Sequence, residues 1–135
     1  MTTWAQSLIR ISTYEVETLQ KRLADIADRR AAAHIRLGVL DAEAEIERDR
    51  ARADPSAQMM LNAYLNGWKA RKGAAEGDVV VLEAEEAGAR DALSGAFEEL
   101  KKFEHVAEAT RLKALVAATK RENAAFDEIA LRRRA

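Results

Sequence analysis

Apolar residues recur along this chain in alternating steps of three and four. Val16, Leu19, Leu23 and Ile26 form one run, and Ala33, Leu37, Leu40 and Ala44 continue it. Arg30 interrupts the stripe. This spacing puts one narrow apolar seam on a helix and calls for a partner helix, as in a coiled coil. A second stripe follows: Leu61, Leu65, Trp68, Ala75, Val79, Leu82, Ala89, Leu93, Ala96, Leu100 and Phe103. Lys72 and Glu86 break it. Beyond Phe103 the large residues fall at Leu112, Leu115, Phe126 and Ile129. That change of phase reads as a stutter, which would alter the winding of a supercoil locally.

Between the two stripes lies Asp54-Pro55-Ser56, with the chain's single proline. Proline opposes continuation of the preceding helix and disfavours helical geometry in the residue before it. It is well suited to a first helical position, and Asp54 to the cap in front of it. The pattern therefore predicts helix one over about 3–53, a turn at 54–56 and helix two over about 57–133, within one coiled-coil domain spanning 1–135. At the start, Thr3-Trp4-Ala5-Gln6 fits a capping box. A short connection makes the two helices antiparallel. The fold class is all-α: two long antiparallel helices in an elongated coiled-coil hairpin, the second helix longer. At 1.5 Å per residue the helices reach roughly 75 Å and 115 Å, which leaves an overhang of about 40 Å starting near Ala107. Apolar side chains on an unpaired helix call for a partner.

Gly67, Gly73 and Gly77 offer an alternative. A break near Gly73–Gly77 would give a short middle helix and remove the overhang. The stripe keeps its phase from Trp68 to Ala75 to Val79, which favours one long helix.

Composition agrees with this pattern. Charged residues make up 33% and aromatic ones 5%, with alanine carrying much of the apolar fraction. Alanine fills thin helix seams well and large cores poorly. The 22 basic and 23 acidic residues leave a net charge of −1, so no global field points to nucleic acid or an anionic membrane. There is no cysteine, which excludes disulfides and thiolate metal sites. The start, Met1-Thr2-Thr3-Trp4, does not read as a signal peptide. The cluster Val79–Leu82 is too short to span a bilayer, so no direct membrane insertion is expected.

Catalytic and metal chemistry find no footing. His34 and His105 have Ala31 and Lys102 three residues before them, not the glutamate of a bundle metal site. Both read as exposed or seam-edge histidines. Pairs such as Glu85-Glu86 and Glu98-Glu99 lack a pocket to shift their pKa values and read as solvated faces. No enzyme activity, metal or cofactor is expected. Tyr64, Trp68, Lys69, Arg71 and Lys72 interleave aromatics with positive charge, as nucleic-acid binders do. Packing of Trp68 and Leu65 across the seam accounts for them more simply, and no nucleic-acid partner is expected. Met59, Met60, Leu61, Tyr64, Leu65 and Trp68 also form a dense apolar group beside the turn, which suits a protein-docking patch. Leu61, Leu65 and Trp68 fit the seam as well; Met60 and Tyr64 lie off it. The run Arg132-Arg133-Arg134 suits a helix C-terminus.

With its length, its unequal helix pair and its ending Glu122-x-x-x-Phe126-Asp127-Glu128-Ile129-Ala130-Leu131-Arg132, the chain resembles the FliJ family of bacterial flagellar export proteins. Lys101, Lys102 and Glu104 stand where the family often carries a charged cluster. The specific part of the match is the last stretch. The resemblance implies a non-enzymatic cytoplasmic component of the flagellar type III export apparatus, peripherally associated with its membrane-embedded part and similar to the central stalk of rotary ATPases. It implies three partners: the export ATPase, whose ring assembly the protein promotes, the export gate membrane protein, and export chaperones. The motif match puts the ATPase contact at Phe126, Asp127, Glu128, Ile129, Leu131 and Arg132. By position beside the turn, Met60, Leu61, Tyr64, Leu65 and Trp68 would face the gate. The clustered glycines depart from an ideal rod. Outside the family, the same pattern would suit a generic coiled-coil adaptor or scaffold.

Overall fold

The computed structural model describes residues 3–134, with side chains from Trp4 onward. They form two α-helices and no strand: α1 (Thr3–Ala53, 51 residues) and α2 (Gln58–Arg134, 77 residues), joined by a 3-10 turn at Pro55–Ala57. The all-α class with a longer second helix is thus what the chain adopts. The capping role expected of the Thr3 side chain lies outside the described residues.

The turn is built as the Asp54-Pro55-Ser56 sequence dictates. Asp54 is extended (φ −134°, ψ 107°), which ends α1, and Pro55 opens the next element. The Asp54 carboxylate accepts hydrogen bonds from the Ser56 backbone N–H at 3.0 Å and its hydroxyl at 2.8 Å. The Ala57 N–H donates to the Asp54 carbonyl at 3.0 Å, closing the turn. Such a cap is worth about 1 kcal/mol.

α2 is continuous through all its glycines, so the chain does not break near Gly73–Gly77. Their cost is one of propensity alone. A methyl group added at Gly73 or Gly77 would meet nothing within 4 Å. Gly73→Ala and Gly77→Ala should therefore each stabilise the fold by roughly 1 kcal/mol, read as a higher urea midpoint at unchanged slope.

The described chain divides into two compact units. One is Leu19–Ala92; the other joins the residues of α1 up to Thr18 to those of α2 from Leu93 onward. Within Leu19–Ala92 the helices are antiparallel, because side-chain contacts nest about the turn. Arg30 reaches Glu86, Asp41 meets Lys72 and Leu40 meets Trp68, at separations of 56, 31 and 28 residues. Burial here follows the three–four rhythm without a slip. In α1 the covered or half-covered positions include Leu19, Leu23, Ile26, Arg30, Ala33, Leu37, Leu40, Ala44, Glu47 and Ala51. In α2 they run Leu61, Leu65, Trp68, Lys72, Ala75, Val79, Leu82, Glu86 and Ala89. The three residues that break the apolar stripe therefore belong to the seam itself.

In the other unit, Ala5, Ser12 and Val16 of α1 and Ala96 and Ala107 of α2 are buried, with Leu93, Leu100, Phe103 and Thr110 half-covered. The α2 seam stays in step through Ala107 and Thr110. This corrects the expected stutter: Leu112 and Leu115 do not continue the seam in a new phase. At 3.6 residues per turn Leu112 lies about 200° and Leu115 about 140° around the helix from Thr110, so neither is on the seam face. Beyond Thr110 no described residue of α2 is buried.

Candidate protein-docking surfaces

The seam of Leu19–Ala92 carries its own electrostatic centre. The Arg30 guanidinium donates from Nη1 to Glu86 Oε2 at 2.8 Å, and Arg90 Nη2 reaches Glu86 Oε1 at 2.6 Å. Glu83 and the pair Arg29–Glu85 extend the network at 4.0 Å and 3.6 Å. Glu86 is buried, yet both its oxygens are satisfied. The hydrogen bond from Arg30 holds its carboxyl below the usual glutamate range, against the opposing effect of burial. A carboxyl depressed in the folded state adds stability above its ordinary value, and that stability is lost as pH falls through the lower folded value. Glu86→Gln should therefore make the acid loss of stability shallower, measured as urea midpoints across that window.

This network is a structural element that the apolar pattern alone did not reveal. Arg30, Lys72 and Glu86 look like defects when each stripe is read by itself. Folding one stripe back on the other about Pro55 brings Arg30 to Glu86. That juxtaposition was the available signal.

Beside the turn, the residues expected to face the gate divide into two sets. Leu61, Leu65 and Trp68 are half-buried in the seam. The Trp68 ring N–H donates to the Leu40 carbonyl at 2.7 Å, with Lys72 Nζ 4.9 Å and Arg48 Cζ 5.7 Å from the ring centroid. Lys72 also pairs with Asp41 at 2.9 Å, and Arg71 lies over Tyr64 at 5.5 Å. The aromatic and basic residues of this segment are thus largely engaged with one another and with α1. Met60 stands 77% exposed, and the neighbouring Met59 is 86% exposed. Tyr64 is half-covered. Two adjacent methionines in solvent form the apolar surface that remains free at this end.

The end of α2 is different in kind. Phe126 (68% exposed), Ile129 and Leu131 lie in solvent, together with Leu112, Leu115 and Val116 upstream. Asp127, Glu128 and Arg132 are exposed too, and Arg132 Nη2 bonds Glu128 Oε1 at 3.1 Å, one helical turn away. All six residues assigned to the ATPase contact are therefore accessible on one helix. Six large apolar side chains on one uncovered segment exceed the scattered surface hydrophobes of an ordinary monomer.

Among the described residues no cluster of His, Asp and Glu could hold a metal ion, and no buried side-chain nitrogen or oxygen lacks a hydrogen-bond partner. His34 and His105 are exposed. No described helix is long and apolar enough to cross a membrane. The geometry offers faces for other proteins.

Comparison with known proteins bears on which proteins those are. No protein-family model matches the chain, and neither does any solved structure. Two curated relatives match along its full length. The flagellar FliJ protein of Caulobacter vibrioides strain NA1000 / CB15N is 53% identical over 135 residues, covering 100% of this chain and 97% of the relative. The flagellar FliJ protein of Caulobacter vibrioides strain ATCC 19089 / CIP 103742 / CB 15 gives the same values.

Proposed function

Because the chain belongs to the FliJ family and is thereby a component of flagellar protein export, we propose that it acts as a non-enzymatic, stalk-like part of the type III export apparatus. Its C-terminal segment binds the export ATPase and promotes assembly of the ATPase ring. The turn-proximal end contacts the membrane export gate, and export chaperones are further partners. The protein works in the cytoplasm, held at the membrane by those partners.

One observation carries this reading: α2 runs on past its last buried position, Ala107, with six large apolar residues in solvent and only Thr110 and Ala118 half-covered. Nothing in the hairpin seam requires that segment. A helix that displays apolar side chains without a partner in its own chain gains most by entering a socket on another protein. Phe126 and Ile129 supply the apolar anchors. Asp127, Glu128 and Arg132 supply charged contacts that fix orientation more than affinity. At the other end, Met59 and Met60 are the exposed candidates for the gate, with Tyr64 at their edge; Leu61, Leu65 and Trp68 support them from the seam.

The test is reconstitution. Mixing the protein with its flagellar export ATPase should raise the rate of ATP hydrolysis and the fraction of ATPase in rings. No binding and no stimulation would leave the chain a coiled-coil scaffold with some other partner.

A further inference from the structure

The uncovered segment of α2 has an order of its own. Glu108, Leu112, Leu115, Thr119, Glu122, Phe126, Ile129 and Arg133 follow one another in alternating steps of four and three, and every one is exposed. That rhythm defines a single stripe able to pack along another helix. It faces away from the hairpin seam, so α1 does not cover it. Read from opposite ends, the two halves of the stripe are chemically complementary. An acid, two apolar residues and a hydroxyl are followed by a carboxylate, two apolar residues and a base.

We propose that two copies of this chain pair through this stripe, antiparallel, about a two-fold axis between Thr119 and Glu122. In that register Arg133 of one copy comes beside Glu108 of the other, whose carboxylate its own Arg111 already holds at 2.7 and 3.0 Å. Leu112 packs on Ile129, Leu115 on Phe126, and Thr119, whose hydroxyl donates to the Leu115 carbonyl of its own helix at 3.0 Å, lies opposite Glu122. Two-fold symmetry makes each contact twice. A parallel pair would instead stack Glu108 on Glu108, Glu122 on Glu122 and Arg133 on Arg133, three layers of like charge. Charge complementarity therefore selects both the occupant and its direction. Arg111 and Arg132, which flank the stripe and approach each other between copies, are each neutralised within their own helix, by Glu108 at 2.7 Å and Glu128 at 3.1 Å. Arg133 and Glu122 have no such intrahelical ion pair among the described residues, so their charges are free for the second copy. The pairing covers the apolar segment whenever no other partner does.

The chain has no cysteine, which makes the register directly testable. Leu112→Cys and Ile129→Cys chains, mixed in equal amounts and mildly oxidised, should form the mixed disulfide in preference to either like-chain product. Sedimentation of the unmodified full chain should show a monomer–dimer equilibrium. Glu108→Arg should raise its Kd on the order of tenfold, because two symmetry-related ion pairs are lost together. Adding Arg133→Glu should restore it. A chain that stays monomeric to its solubility limit would overturn the proposal. So would dominant like-chain disulfides, or a double variant that is not restored. No ATPase enters these measurements, so they stand or fall independently of the export reading, although both concern the same segment.

Discussion

Removing residues 111–135 should leave the hairpin as stable as the full chain while lowering affinity for the export ATPase by at least about 100-fold. The two halves of this expectation rest on the same burial pattern. The last buried position of the α2 seam is Ala107, and beyond it only Thr110 and Ala118 are half-covered. The side-chain hydrogen bonds of the residues beyond Ala107, such as Arg121 to the Ala117 carbonyl and Arg132 to Glu128, stay within the helix. Surface changes away from packed or capped positions stay within about 0.5 kcal/mol. Urea midpoints of the truncated and full chains should therefore coincide, and helical ellipticity should fall only by the share of residues removed. The affinity loss follows because all the large exposed side chains between Leu112 and Leu131 go together. A truncated chain that unfolds would make the segment part of the core. One that keeps full ATPase affinity would move the contact elsewhere.

The sequence made the seam legible to a large extent, for a physical reason. A helix paired with one other helix buries a narrow stripe, and the step between buried residues is then fixed by helix geometry. Val16, Ile26, Leu40, Val79 and Leu82 mark it with large apolar side chains, and all of them are buried. The turn was legible because aspartate, proline and serine each have one favoured role there. What escaped were residues whose role depends on the other helix. Arg30 and Glu86 break two separate stripes and make sense only as a pair. The end of the seam was obscured by side-chain size. Ala107 and Thr110 hold the register quietly, while Leu112 and Leu115 draw attention to a different face. Spacing likewise blurred the two surfaces beside the turn. Leu61, Leu65 and Trp68 satisfy both the seam and the docking patch, and only burial separates them from Met59 and Met60. At the free end no such conflict arose, since Phe126, Ile129 and Leu131 have no seam partner to claim them.

The second large effect is expected at Trp68. Trp68→Ala should destabilise the protein by about 3 kcal/mol, toward the lower end for aromatic truncations because the ring is only half-buried. Three contributions are lost together. The ring stops covering the seam beside the buried Leu40. Its N–H no longer donates to the Leu40 carbonyl at 2.7 Å, a bond worth about 1 kcal/mol net. Lys72 loses the aromatic face it approaches at 4.9 Å, which costs about 0.5–1 kcal/mol at an accessible site. Lys72 keeps Asp41, so its charge is not stranded. Trp68→Phe separates these terms: it keeps an aromatic face and most of the packing but has no donor, and should cost roughly 1 kcal/mol. Urea unfolding of both variants checks the ranking. The functional consequence is distinct. If Trp68 acts by holding α2 against α1, both variants should weaken gate capture only as far as they weaken the fold, and Gly73→Ala in the same chain should offset part of the loss. Exposed Met60 should behave in the opposite way, with Met60→Ala lowering gate capture at unchanged stability. A Trp68→Ala chain that is fully stable yet blind to the gate would place the indole in the contact itself and take it out of the seam.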